Sequence, residues 1–234
     1  MPQTKSGEHY ESAHLIERQM ILHEARDRMT REGQGTSRIT RYRFVTLSRQ
    51  VGSLGSEIAQ EVAGRLGWRA FDREIVDHIA QSAHVRQRLV EQLDEKAQNL
   101  IHETVRRVLR MAEGGSFGLE EYHDGLLRTL AGLAAHGEAI LVGRGANFAL
   151  RGHTEGLHVR VVSSDEVRIE RLCRRWQLPP SEAARRMCVI DAERANFVRH
   201  HFKQDIEATK SYDLIVNTDY ITPQQAALAI LALI

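Results

Sequence analysis

The chain has 234 residues, 42% hydrophobic and 27% charged, and its 32 lysines and arginines against 31 aspartates and glutamates leave a formal charge of +1. That is enough for one large domain or two small ones with a real core. A mean hydropathy of −0.39, without an apolar run of about 18 residues, excludes a membrane-spanning helix. The near-zero charge gives no general pull toward nucleic acid. Cys173 and Cys188 have no metal-ligand spacing and form no disulfide framework, and residues 1–5 lack the apolar stretch of a secretory signal. A cytoplasmic location is therefore expected.

Residues 1–9 are polar and without periodicity. Residues 10–29 follow a helical pattern, with Leu15, Leu22, Ala25 and Met29 on one stripe, and residues 32–41, with Gly33 and Gly35, read as a linker. This extension, 1–41, is expected to pack on its own domain or on a second copy as a homodimer. The main domain, 42–234, opens with a strand over 44–47, a glycine-bearing turn and a helix over 56–66. Helical periodicity dominates 73–136, interrupted at 113–116. Strands are expected at 139–142, 157–162 and 214–216. One helix begins near Ser164, with Ser163 and Glu166 at capping-box spacing, and another at Ser181 after Pro179 and Pro180. Thr222 and Pro223 open a last helix running to Ile234.

Short apolar strands alternating with helices predict an α/β fold, a parallel sheet flanked by helices. Such sheets bind ligands beyond the carboxyl ends of their strands, here after Leu47, Val142 and Val162. Ser48-Arg49-Gln50-Val51-Gly52-Ser53-Leu54-Gly55-Ser56 follows the first strand. A small-residue loop opening a helix makes an anion site, and the same pattern also suits an ordinary βα turn. The P-loop pattern Gly-x-x-x-x-Gly-Lys-Ser/Thr is not met: Gly55 stands in the lysine position and Arg49 in that of the first glycine. Arg144, between Gly143 and Gly145, either forks a phosphate or is solvated. Arg168, Arg171 and Arg175 share a helix face, which suits a solvated surface as well as a site. Asp191 and Arg194 have the spacing of an ion pair. No histidine, cysteine and carboxylate combination has zinc spacing, so no metal site made of protein ligands alone is expected.

Taken together, Val45–Ser53 with Glu57-Ile58-Ala59, Phe71–Ile75, Leu141–Ala146, Ile190–Ala195 and Tyr212–Thr218, in that order, resemble the cytidylate kinase-like family, a nucleoside monophosphate kinase branch of the P-loop NTPases, with a degenerate Walker A loop. The resemblance implies a P-loop NTPase fold with a helical monophosphate-binding region over 73–136, a helical lid over 179–205 and the extra N-terminal helix. It implies ATP with Mg2+ as co-substrate and small-molecule nucleotides as partners, and composition and charge add the expectation of neither nucleic acid nor membrane. Gly52, Ser53, Gly55 and Ser56, with Arg49 and Arg171, would bind the ATP phosphates. Arg144 and Asp72 would bind the monophosphate. Arg144, Arg168, Asp191 and Arg194 would be catalytic. The implied activity is phosphoryl transfer from ATP to a CMP- or dCMP-like monophosphate or a similar small acceptor. A non-catalytic nucleotide- or phosphate-binding regulator on the same fold is the alternative, and a helical interaction protein the third. Gly145 departs from the aspartate that follows the arginine in true cytidylate kinases.

Overall fold

In the computed structural model, residues 41–91, 93–111 and 120–234 are described. The helix expected over 10–29, almost all of its linker, the dimer assigned to them and the break at 113–116 lie outside the described residues.

β1 (Phe44–Arg49) runs through the middle of a five-stranded sheet. It pairs in parallel with β3 (Ala139–Val142) on one side and β4 (Gly156–Val162) on the other. β2 (Arg69–Phe71) lies outside β3 and β5 (Leu214–Asn217) outside β4, both parallel, giving the order β2-β3-β1-β4-β5. β1, β3 and β4 are apolar because helices cover both of their faces, so each strand must bury nearly every side chain. β2 was absent from the sequence expectation. Its three half-buried residues, Arg-Ala-Phe, are too short to show a period.

α1 (Gly55–Leu66) and α9 (Pro223–Leu231) pack together. Their Ile58, Val62, Ala226 and Ile230 close on Val45, Ile140, Val142, Val159 and Val161. Each large side chain buried this way contributes about 1.5–3 kcal/mol. The Thr222-Pro223 start holds: Thr222 Oγ1 accepts from Gln225 N at 3.2 Å, and Gln225 Oε1 accepts from Thr222 N at 2.9 Å, a full capping box. The helix stops at Leu231, short of Ile234.

α2 (Arg73–Gln81), α3 (Ala83–Glu91), α4 (Glu95–Met111) and α5 (Glu120–His136) form the helical region expected over 73–136, and α5 packs against α6 (Ala146–Leu150) and β3. α7 (Asp165–Trp176) and the 23-residue α8 (Pro180–Phe202) follow β4 and pack on each other. The capping box expected from Ser163 and Glu166 does not form. Ser164 is the N-cap without a side-chain bond, because Ser163 Oγ (2.6 Å) and Ser164 N (2.8 Å) both donate to Asp219 Oδ1 beyond β5.

From β1 the chain crosses to β2 and β3 on one side, then returns past β1 to β4 and β5. The strand order therefore reverses at β1, and its carboxyl end is the crevice where this class of sheet holds ligands.

Candidate functional site

Arg49 ends β1, and the loop 50–54 carries the chain into α1. Gly52 has φ +80 and lies under α7, where a side chain would sit 3.1 Å from Leu172 Cγ and 3.2 Å from Arg168 Cβ. Leu54, the N-cap of α1, is left-handed at φ 62 and ψ 18. For a branched residue that strain is worth about 1–3 kcal/mol and persists only where the surroundings impose it. The N–H groups of Gly52, Leu54, Gly55, Ser56 and Glu57 donate to no protein group among the described residues. Unpaired N–H groups at the positive end of a helix are what an oxyanion uses. Ser53 differs from its neighbours: its N–H (3.4 Å) and its hydroxyl (2.8 Å) both go to Gln50 O, and it is fully buried.

The two departures from the P-loop pattern meet in space. A Cβ on Gly55 would stand 2.5 Å from Arg49 Cβ, so the glycine in the lysine position makes room for the arginine in the glycine position. The Arg49 head continues over Gly143, where any side chain would collide with its Nη1. Its Nε is buried without a partner, and no carboxylate pairs with the guanidinium among the described residues. Burial first, then the charges of Arg194, Arg73 and Arg144, push it down to about 10, with Asp72 opposing.

The other arginines divide sharply. Arg168, 5% exposed, is ion-paired with Asp165 and Asp191 and donates to Val51 O at 3.3 Å. Arg171 donates to Gly52 O (3.3 Å), Ser163 Oγ (3.3 Å), Thr218 Oγ1 (3.0 Å) and Thr218 O (2.6 Å). Both hold the loop, Arg168 from behind and Arg171 from the wall of a cavity. Arg144, left-handed at φ 51, donates from Nε and Nη2 to the two oxygens of Asp77, which also accepts from Tyr122 Oη at 2.7 Å, and its guanidinium lies 4.6 Å over the Phe197 ring. Arg194 donates to Arg49 O at 3.0 Å and stands 3.6 Å from Asp191. Burial lowers its pKa, with Asp191 opposing. Asp191 in turn accepts from Val51 N at 2.9 Å, so α8 is tied to the loop.

Two cavities flank this cluster. One, about 650 Å³, is walled by the loop, Arg171, Trp176 and Arg186. The other, about 790 Å³, is walled by Asp72, Arg73, Arg144, Asn147 and Phe197. Arg49, Val51, Ser56, Arg175, Ile190 and Arg194 line both. Phosphates entering from either side would meet at Arg49 and Arg194.

A family model described as the cytidylate kinase-like family matches residues 44–220. The chain belongs to that family. A kinase-type function on a nucleotide or other small molecule, with nucleotide binding, goes with this membership. A solved structure of a protein from Eubacterium ventriosum ATCC 27560 shares the fold at TM-score 0.62 and 15% identity, over 81% of this chain and 96% of that one. Shikimate kinase from Acinetobacter baumannii matches at TM-score 0.42 and 15% identity, over 82% and 92%. No curated protein matches. Among the described residues no helix is long and apolar enough to cross a membrane.

Within this family member the structure brings Arg49, Gly52, Gly55, Ser56, Asp72, Arg144, Arg171 and Arg194 to the cavity walls. It sets Ser53 and Arg168 behind them. Asp72 also caps α2, accepting from Ile75 N at 3.2 Å. Asp77, Tyr122 and Arg73 were missed by sequence reasoning. Asp77 and Arg144 are 67 positions apart, and no local pattern links them. The unpaired N–H groups fit a triphosphate. For a magnesium ion carried by the nucleotide, Ser56 and Asp72 offer oxygens. Among the described residues no three His, Cys, Asp or Glu side chains cluster as a metal site.

Proposed function

We propose that the chain transfers the γ-phosphoryl group of ATP to a nucleoside monophosphate of the CMP or dCMP kind, or to a similarly small anionic acceptor. ATP would lie in the 650 Å³ cavity with its phosphates on the loop, and the acceptor in the 790 Å³ cavity against Arg144 and Asp72. The observation that carries this reading is the pair of cavities joined at Arg49 and Arg194. An acceptor phosphate oxygen would attack the γ-phosphorus as the bond to ADP breaks, and such an oxygen carries no proton that a base must remove. Positioning and charge then supply most of the catalysis. Arg49 takes the lysine's place beside the loop, and Arg194 neutralises the moving group. Arg168 positions the loop rather than touching phosphate, Arg171 braces the loop from the wall of the ATP cavity, within reach of its phosphates, and Asp191 with α8, at the centre of the lid over 179–205, closes on it. The free thiols Cys173 and Cys188 suit a cytoplasmic setting.

The alternative, a nucleotide- or phosphate-binding regulator without turnover, is favoured by one feature. Arg49 reaches the loop from the strand side with its head pinned over Gly143, so it binds the ground state better than it follows the transferred group. Uniform binding does not speed the chemical step. Incubation of the full chain with MgATP and each of CMP, dCMP and UMP, read by mass spectrometry, separates the two. ADP with a diphosphate product is expected. ATP binding without product from any acceptor contradicts the kinase reading.

A further inference from the structure

The 790 Å³ cavity has a feature that its arginines do not explain. Asn147 lines it, is 3% exposed, and its Nδ2 is buried with no partner among the described residues. Leaving a buried amide donor unmade costs about 1–3 kcal/mol, and native proteins keep few such groups. Ser48 lines the same cavity and is also buried. Its oxygen accepts from Arg160 Nη1 at 2.8 Å. Tyr212 Oη is 3.4 Å away, but its single proton goes to Ile206 O at 2.7 Å. Ser48 therefore keeps a proton to give, with that long contact as its one protein alternative among the described residues. The cavity's aromatic ring offers little to a stacking partner: Phe197 is already covered by Arg144 and packs 4.4 Å from His201. Beside it the Phe202 ring fills the space that any side chain on Gly145 would need.

On the reading that this cavity takes the acceptor, we infer that Asn147 and Ser48 are its specificity-determining donors, holding an uncharged oxygen of the acceptor, a hydroxyl or carbonyl set apart from the anionic group that the arginines neutralise. The acceptor class is thus a small anion with a hydrogen-bonding oxygen at its buried end, and a bare oxyanion fills only half of the site.

Asn147→Leu keeps the shape and removes both polar ends. Because it deletes an unpaired buried group, it should melt at the same temperature as the wild type or higher, which a structural role for Asn147 would not allow. Binding of inorganic phosphate, ribose 5-phosphate and CMP to the full chain is measured by titration calorimetry without ATP. Inorganic phosphate should bind both proteins alike. Ribose 5-phosphate or CMP should bind the wild type more tightly than phosphate does, and lose at least tenfold in Asn147→Leu. Equal gain from the two places the oxygen on the sugar, and gain from CMP alone places it on the base. Unchanged affinity in the variant, equal weakening of inorganic phosphate, or no gain of either compound over phosphate on the wild type would overturn the inference. No turnover enters these measurements, so failure of the kinase reading would show separately, as absence of product.

Discussion

The arginines that brace the loop and Arg49 at its mouth carry the same charge and have opposite surroundings. Arg168 and Arg171 are surrounded by acceptors, two carboxylates for the first and a set of carbonyls and hydroxyls for the second. Arg49, half-buried, has arginines for neighbours, and its guanidinium donates to no protein group among the described residues; Arg168 Nε is likewise without a partner, but both of its Nη groups lie on carboxylates. A satisfied buried cation holds structure together, and an unsatisfied one stores an affinity for an anion. The lesson is that partners, not the number of arginines, separate scaffold from site.

The largest expected effect breaks the scaffold side. Arg168→Met takes its buried partner from the Asp191 carboxylate, which keeps Val51 N and Arg194, and losing such charge-assisted hydrogen bonds costs about 1.5–3 kcal/mol. Urea denaturation should show a loss on that scale, and a loss below about 1 kcal/mol would mean that Arg168 is no anchor. Next comes the exchange of cation and glycine. Gly55→Lys alone should destabilise by about 1–3 kcal/mol, the range for forcing extra atoms into a packed site, because its Cβ meets that of Arg49. The double variant Arg49→Gly/Gly55→Lys should recover most of that loss, and strict additivity of the two changes in thermal melts would refute the exchange.

A smaller effect sharpens the comparison through histidine, a cation that can yield its proton where arginine cannot. Burial first, and for His201 the neighbouring histidines, Arg144 and Lys203, push His158 and His201 down to about 4. Unfolded, each returns to about 6.5. Between those values the unfolded chain binds more protons than the folded one, so stability falls as the pH drops from 6.5 toward 4. The slope is at most about 1.4 kcal/mol per pH unit for a fully buried histidine such as His158. His158→Asn should flatten the profile of denaturation midpoint against pH, and an unaltered slope would show that His158 titrates normally.

Much of the frame was legible in the sequence. The apolar runs of β1, β3 and β4 marked the sheet because burial on both faces permits little else, and Thr222 with Pro223 marked α9 because capping is local chemistry. β2 was invisible, since three half-buried residues beside one neighbour need no apolar run. In the site, the exchange of Arg49 and Gly55 appeared in the sequence only as two departures from a pattern; their contact needed the fold. The pairing of Arg144 with Asp77 and the burial of Arg168 depend on elements brought together across the sheet, which spacing along a helix does not encode. The expected cap at Ser163 failed for the same reason, its hydroxyl being claimed by Asp219 from beyond β5.

The central claim is that Arg49 is the unsatisfied cation on which the phosphates settle. Titration of ATP into the wild type and Arg49→Met, with urea denaturation of both, tests it most directly. Losing a charge-assisted contact to a phosphate is worth about 1.5–3 kcal/mol, so affinity should fall at least tenfold. Stability should hold or rise, because the variant removes a charge that burial and its neighbours disfavour. An Arg49→Met protein that binds ATP as tightly as the wild type, or that loses stability as Arg168→Met does, would contradict the account.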